Sequence, residues 1–203
     1  MSDGTTPRAD VTGIILAGGR SSRFGTDKLI AELDGRPLLH RALLAVAGVA
    51  GPLIVVSSPN VQPTIPKNQA ARVRIVHDPE PYGGPLVGLV AALSAVETPI
   101  ALVAGGDMPR MIQAVLRRLA STVGPERRAV ILEVPGRIQS LPMAVDTGAA
   151  LLVGRATLQR GGRSLRELLV ELGSVAIPAP VWLSLDPAGQ TIDDIDRPAD
   201  LRS

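Results

Sequence analysis

The chain has 203 residues, of which 45% are hydrophobic, and a formal net charge of only +2, so its composition does not demand nucleic acid or an anionic membrane as a partner. Cysteine is absent, which excludes disulfides, thiolate metal sites and cysteine nucleophiles. Aromatic residues are limited to Phe24, Tyr82 and Trp182, so the core must be aliphatic and stacking platforms for single-stranded nucleic acid are scarce.

The first ten residues, MSDGTTPRAD, are polar and lack the apolar core of a secretory signal. We expect residues 1–10 to form a disordered tail and residues 11–203 to form one domain. No apolar run approaches the roughly 20 residues that a transmembrane helix needs. These features predict a cytoplasmic protein without a membrane partner.

Runs of Val, Ile and Leu alternate with helix-like segments along the rest of the chain. This alternation predicts an α/β fold with three layers, in which a mostly parallel sheet carries helices on both faces. The predicted strands are residues 12–16, 53–57, 73–77, 100–104 and 129–133, with a sixth at 141–145 and short ones at 175–177 and 182–185. The predicted helices are residues 38–46, 85–96, 111–121, 147–155 and 164–172, and a last helical turn begins at Pro198.

Residues 13–28 read GIILAGGRSSRFGTDK and carry the most distinctive pattern in the chain. The apolar run at 14–16 suits a buried parallel strand, and Gly18 and Gly19 would let a ligand approach the bare backbone. The side chains that follow favour a polyphosphate cradle over a plain surface loop: Arg20, Ser21, Ser22, Arg23 and Lys28. A P-loop does not fit, because Lys28 is displaced from Gly25, and Gly18-Gly19 does not supply the G-x-G-x-x-G of a dinucleotide site.

Three further segments place polar groups just after predicted strands, so in a parallel sheet they would converge on one edge. His77-Asp78 precedes YGGPLVGL at 82–89, a pattern that also fits a strand, a turn and an amphipathic helix. Asp107 follows two glycines at the end of a buried strand, where it would either bind a metal or cap a helix beginning near Arg110. Asp194 and Asp196 flank an apolar residue, so they would share one face of an extended segment or belong to a solvated acidic tail.

These motifs resemble those of the MobA-like nucleotidyltransferases, whose best-known member is molybdenum cofactor guanylyltransferase. Residues 16–28 match L-A-G-G-x-S-x-R-x-G-x-D-K, with Phe24 where Met is usual. Residues 77–89 match H-D…G-P-L-x-G, residues 107–109 match D-x-P, and residues 193–201 are similar to D-x-D-T-P-x-D-L. The resemblance implies a Rossmann-like nucleotidyltransferase fold and a transfer reaction that depends on Mg²⁺.

The resemblance also implies roles for particular residues. Nucleotide binding would fall to Leu16, Ala17, Gly18, Gly19, Arg20, Ser21, Lys28, Asp78, Gly84, Pro85 and Leu86. Catalysis would fall to Lys28, Arg23 and Asp107, and the metal to Asp107 and Asp196. These roles fit the chemistry, because a nucleoside triphosphate and its leaving pyrophosphate need fixed cations around them.

The resemblance implies GTP as the nucleotide, molybdopterin as the phosphorylated acceptor and contact with molybdoenzyme maturation proteins. Two departures bear on the base and the acceptor: Ser57-Ser58 and Asp196 stand where the guanylyltransferases often have Asn. CTP or another nucleotide with a sugar-phosphate or polyol-phosphate acceptor is therefore an alternative, as is a nucleotide-binding regulator without turnover. Arg160 and Arg163 would meet an anionic acceptor or lie in a solvated basic turn.

Overall fold

The computed structural model describes residues 6–18, 30–80 and 83–202, and it confirms the mostly parallel α/β sheet. Eight strands form the sheet in the order β10-β7-β9-β6-β1-β4-β5, and β8 pairs with β7. Strand β9 runs antiparallel to both β6 and β7. The strands are β1 (Val11–Leu16), β4 (Leu53–Ser57), β5 (Val73–His77), β6 (Ile100–Gly105), β7 (Ala129–Val134), β8 (Arg137–Ile138), β9 (Met143–Asp146) and β10 (Val175–Ile177), with a separate hairpin of β2 (Glu32–Leu33) and β3 (Arg36–Pro37).

The described residues contain six α-helices, of which the last follows β10: α1 (Leu38–Ala47), α2 (Pro85–Leu93), α3 (Gln113–Thr122), α4 (Thr147–Gln159), α5 (Leu165–Glu171) and α6 (Ala179–Leu183). Single 3₁₀ turns occupy Ala70–Arg72, Gln190–Ile192 and Pro198–Arg202, the last where the sequence predicts it. The strand predicted at 182–185 is wrong, because α6 covers the first half of that segment and a turn covers the second half. A proline in the first turn favours this helix, and the apolar run after it is too short to show a period.

The central strands β1, β4 and β6 bury both of their faces, and alternate residues enter two separate hydrophobic clusters. Ile15 and Val55 belong to the cluster that contains the apolar residues of α1, α3 and α6. Ile14 and Ile54 belong to the cluster under α2, α4 and α5. This alternation places helices on both faces of the sheet, as predicted, and it explains why the central strands read as continuous apolar runs.

The amino-terminal segment differs from the expected tail from residue 6 onward. The Arg8 amide donates a hydrogen bond of 2.8 Å to the Val49 carbonyl, and Arg8 forms a β-bridge with Ala50. Residues 1–5 lie outside the described residues. None of the described helices is long and apolar enough to cross a membrane.

Candidate active site

Four parallel strands end side by side at one edge of the sheet. Strand β1 lies between β4 and β6, and the chain adds β4 and β5 on one side of β1 before it returns to β6 on the other. Leu16 at the end of β1 pairs with both Val56 and Gly105, and Ser57 pairs with His77. This reversal is the topological switch point, where ligands bind in open α/β sheets.

The segment after β1 is held in place by backbone hydrogen bonds to both neighbouring strands. The Ala17 amide donates to the Val56 carbonyl (2.7 Å), and the Gly106 amide donates to the Leu16 carbonyl (3.0 Å). Gly18 is exposed beside Ser58, whose amide nitrogen and Oγ would each lie 3.7 Å from a methyl group built on Gly18. A side chain would therefore fit at position 18, yet the sequence has a glycine there.

The other predicted members of the polyphosphate cradle lie outside the described residues: Gly19, Arg20, Ser21, Arg23 and Lys28. Their roles stay predictions.

The hairpin β2–β3 follows this segment, and Arg41 links the hairpin to the segment after β6 on the opposite side of the site. Its guanidinium donates to the Leu33 carbonyl (3.0 Å) and to the Pro109 carbonyl (3.5 Å). Sequence patterns missed Arg41 because its partners are far apart in the chain.

Asp107 lies just beyond the buried end of β6, across the switch point from the segment after β1. A methyl group on Gly105 would lie 2.5 Å from the Asp107 Oδ1, so a side chain there would clash with the carboxylate in its present position. The suggestion that Asp107 caps the next helix is wrong. Helix α3 begins at Gln113 with Ile112 at the N-cap, and the Ile112 amide donates instead to the Thr191 Oγ1 (3.1 Å).

The carboxy-terminal acidic segment is tied directly to Asp107. The Ile195 amide donates to the Asp107 carbonyl (3.0 Å), and the Ile195 side chain is 1% exposed against Leu33 and Leu38. Asp194 and Asp196 flank this anchor and are exposed. The segment is therefore a packed strap across the end of β6 rather than a solvated tail.

A hydrogen-bond network joins the ends of β4 and β5. The Ser57 Oγ donates to the Val61 carbonyl (3.0 Å) and lies 3.0 Å from the His77 Nδ1. Because the single Ser57 proton is used at Val61, the His77 Nδ1 carries the proton of the second hydrogen bond. Asp78 accepts from the Glu80 amide (3.0 Å) through Oδ1, and its Oδ2 lies close to Gly88 in α2.

The start of α2 packs against the turn that contains Arg163. The Leu86 amide donates to the Arg163 carbonyl (3.2 Å), and the Leu86 side chain is fully buried. Gly84 has φ +96°, and a methyl group on it would lie 2.8 Å from the same carbonyl oxygen. Of the three residues predicted to bind nucleotide here, Gly84, Pro85 and Leu86, only Pro85 is exposed. The close contact with the Arg163 carbonyl explains why position 84 needs a glycine.

The basic turn before α5 is paired with acidic side chains. Arg160 forms an ion pair with Glu171, and the Arg163 guanidinium lies 3.9 Å from the Glu80 carboxylate. Glu167 closes a capping box with Ser164 and also accepts from the Arg163 amide (2.9 Å). These hydrogen bonds lower the pKa of the Glu167 carboxyl, chiefly through the Ser164 amide.

The oxygen donors at the switch point suit a hard divalent cation. The Asp107 carboxylate and the acidic strap that is bonded to Asp107 offer the type of ligand that Mg²⁺ prefers. Within residues 6–18, 30–80 and 83–202, no group of three or more His, Asp or Glu side chains could hold a metal ion. A cation here would therefore take its remaining ligands from phosphate oxygens and water, as Mg²⁺ usually does in nucleotide sites.

Comparison with known proteins agrees with this geometry. The MobA-like NTP transferase domain matches residues 13–175. The "Probable molybdenum cofactor guanylyltransferase" of Chloroflexus aggregans is 34% identical over 95% of this chain and 92% of its own length. The molybdenum cofactor guanylyltransferase of Cupriavidus metallidurans is 30% identical over 84% of this chain and 86% of its own length.

A solved structure supports the fold. Molybdopterin-guanine dinucleotide biosynthesis protein A from Archaeoglobus fulgidus superposes with a TM-score of 0.74 over 94% of this chain and 95% of that one. The two sequences are 22% identical, so the likeness concerns the architecture alone.

Proposed function

Because this chain belongs to the MobA-like NTP transferase family and is a nucleotidyltransferase, we propose that it transfers GMP from GTP to the phosphate of molybdopterin. Pyrophosphate is the second product, and Mg²⁺ is the required cation. The observation that carries the proposal is that the open Gly18 backbone and Asp107 follow the adjacent strands β1 and β6 at the switch point. We also propose that residues 11–203 act as one catalytic domain, which the eight-stranded sheet that contains both β1 and β10 supports.

The reaction asks for positioning and charge neutralisation rather than covalent catalysis. A phosphate oxygen of the acceptor attacks the α-phosphorus of the nucleotide, and the bond from that phosphorus to the pyrophosphate oxygen breaks in line with the attack. The segment at Ala17 and Gly18 receives the nucleotide against bare backbone. Lys28 and Arg23 neutralise the phosphates and the leaving pyrophosphate, as fixed cations do in phosphoryl transfer.

Asp107 and Asp196 are the residues that would hold Mg²⁺, and the Ile195 anchor supports this assignment because it fixes the strap to Asp107. When bound, the cation would neutralise the charge that develops at the reacting phosphate. The Ser57–His77 network holds the loop at Ser58 beside Gly18, which is where the nucleotide would enter. Asp78 supports the same side of the site through the Glu80 amide.

The test is a pyrophosphate-release assay with GTP, ATP, CTP and UTP, each with and without molybdopterin and Mg²⁺. We expect release only with GTP, acceptor and Mg²⁺ together. Lys28→Ala should reduce the rate by about 10²-fold or more, the scale on which one charge-stabilising donor acts. In a thermal melt, GTP at 100 times its dissociation constant should add roughly 2.7 kcal/mol to the free energy of unfolding.

Two outcomes would replace the proposal with its alternatives. Release with CTP and none with GTP would assign the chain to cytidylyl transfer, with a different phosphorylated acceptor. Stabilisation by a nucleotide without release under any combination would make the protein a nucleotide-binding regulator.

A further inference from the structure

A cavity lies at the opposite edge of the sheet from the candidate active site. It has a volume of about 360 Å³ and is bounded by Arg8, which precedes β1, and by Val49, which follows α1. The active-site segments begin where β1 ends, so the six residues of β1 separate the two places by roughly 20 Å at about 3.3 Å per residue. The cavity is therefore distinct from the nucleotide site.

One face of α3 forms a wall of this cavity. Ala114, Arg117, Arg118 and Ser121 all line it, and their spacing of i, i+3, i+4 and i+7 places them on one side of a helix. The period of the helix thus brings two adjacent arginines to the same opening.

The positive charge of these arginines is not neutralised within the described residues. Arg8 is paired with Asp10 at 2.7 Å. Arg117 donates only to neutral acceptors, the Gly48 carbonyl (2.7 Å) and the Gln113 Oε1 (3.0 Å). The Arg118 guanidinium has no hydrogen-bond or ion-pair partner in residues 6–18, 30–80 and 83–202, and none of the residues that line the cavity is acidic.

The remaining lining is largely apolar. Val49 is 1% exposed, and Leu185 is 40% exposed although it is a large hydrophobic residue. Thr6 and Ser121 add hydroxyl groups. The volume falls in the range of small-molecule sites, which are mostly apolar with a few polar groups that fix orientation.

We propose that this cavity, formed by α3, Arg8, Val49 and Leu185, binds a small phosphate monoester with an apolar body. Arginine suits this ligand class because its planar guanidinium donates two parallel hydrogen bonds to a phosphate. The apolar part of the ester would cover Val49 and Leu185, while the phosphate would meet Arg117 and Arg118. The proposal does not depend on which nucleotide the active site uses.

The test is a calorimetric titration of the full chain with phenyl phosphate, which joins a phosphate to an apolar ring. Arg118→Gln should weaken binding by about 10-fold or more, because it removes a charge-assisted hydrogen bond to the phosphate. Because the Arg118 guanidinium has no partner to lose among the described residues, the variant should keep the thermal stability of the parent. Arg166→Gln is the matched control, because it removes the same charge from an exposed arginine on α5, beyond the other face of the sheet.

A Lys28→Ala variant separates this cavity from the nucleotide site. Unchanged phenyl phosphate binding in Lys28→Ala and in Arg166→Gln, with weakened binding in Arg118→Gln, would support the proposal. Equal binding by the parent and Arg118→Gln, loss of binding in Lys28→Ala, or no binding by the parent at about 10 mM would each overturn it. None of these results changes the outcome of the pyrophosphate-release assay.

Discussion

Two glycine-containing segments lie at the carboxyl edge of the sheet, and they are glycine-rich for different physical reasons. Gly18, after β1, has room for a methyl group, with its nearest neighbours in Ser58 at 3.7 Å. Gly84, before α2, has φ +96° and lies against the Arg163 carbonyl, where a methyl group would approach to 2.8 Å. The protein itself requires the second glycine but not the first.

The segment before α2 is packed against the rest of the protein, whereas the segment after β1 leaves its backbone exposed. At the start of α2, the Leu86 amide is used by Arg163 and the Leu86 side chain is buried. At the switch point, the open Gly18 backbone lies across from Asp107. Gly18 is therefore free to serve another use of a missing side chain, which is the close approach of a ligand to the backbone.

The largest effect is expected at the open segment, from Asp107→Asn. The change keeps the shape of the side chain but removes the anion that would hold Mg²⁺, so pyrophosphate release should fall by about 10²–10³-fold. Calorimetric titration with GTP should show that Mg²⁺ no longer strengthens nucleotide binding as it does in the parent. Circular dichroism checks that the variant folds, since the bond to Ile195 uses the Asp107 backbone. Full turnover with the same Mg²⁺ enhancement would place the metal elsewhere.

A smaller effect, on stability, is expected at the closed segment from Gly84→Ala. Alanine at φ +96° is strained and would press on the Arg163 carbonyl, so the free energy of unfolding should drop by about 1–3 kcal/mol. Urea denaturation measures the loss. The folded fraction should keep the nucleotide preference of the parent. A variant as stable as the parent would show that this turn relaxes at no cost.

Gly18→Ala is the matched counterpart and should show the reverse pattern. Its methyl group meets only ordinary contacts in the protein, so the urea midpoint should stay unchanged. In the presence of Mg²⁺, GTP should bind about 10-fold more weakly, because the methyl group would occupy space that the nucleotide needs; a tenfold change corresponds to about 1.4 kcal/mol. Equal affinities measured by calorimetry would contradict contact between Gly18 and the ligand.

The smallest effect is expected from Glu167→Gln, which weakens the support of the Arg163 turn. The pKa of Glu167 is lowered in the folded chain, so its contribution to stability is present above the pKa of the unfolded carboxyl, about 4.3, and is lost as the pH falls through the folded value. The Tm of the parent should therefore decline more steeply than that of the variant between about pH 5 and pH 3. Parallel Tm curves would contradict the shift, and Glu126→Gln is a control at an exposed acid.

The sequence by itself determined the fold class and the family. Short apolar runs alternating with helical segments predict the central strands closely, because strands buried on both faces need apolar residues at every position. The spacing of residues 16–28 and the D-x-P segment at Asp107 resemble the family's motifs, and the match of the family's domain to residues 13–175 confirms the family. The strand predicted at 182–185 failed because so short a segment, with three apolar residues and Ser184, fits a strand or a helix equally well.

Only the tertiary structure decided which glycine the fold requires and how the distant segments meet. Arg163 closes α2 from about 80 residues away, Ile195 ties the strap to Asp107, and α3 turns Arg117 and Arg118 toward one cavity. Local patterns do not contain these contacts, because each depends on how helices pack on the two faces of the sheet. The sequence shows which groups can bind phosphate, whereas the packing shows which of these groups are engaged in contacts within the protein.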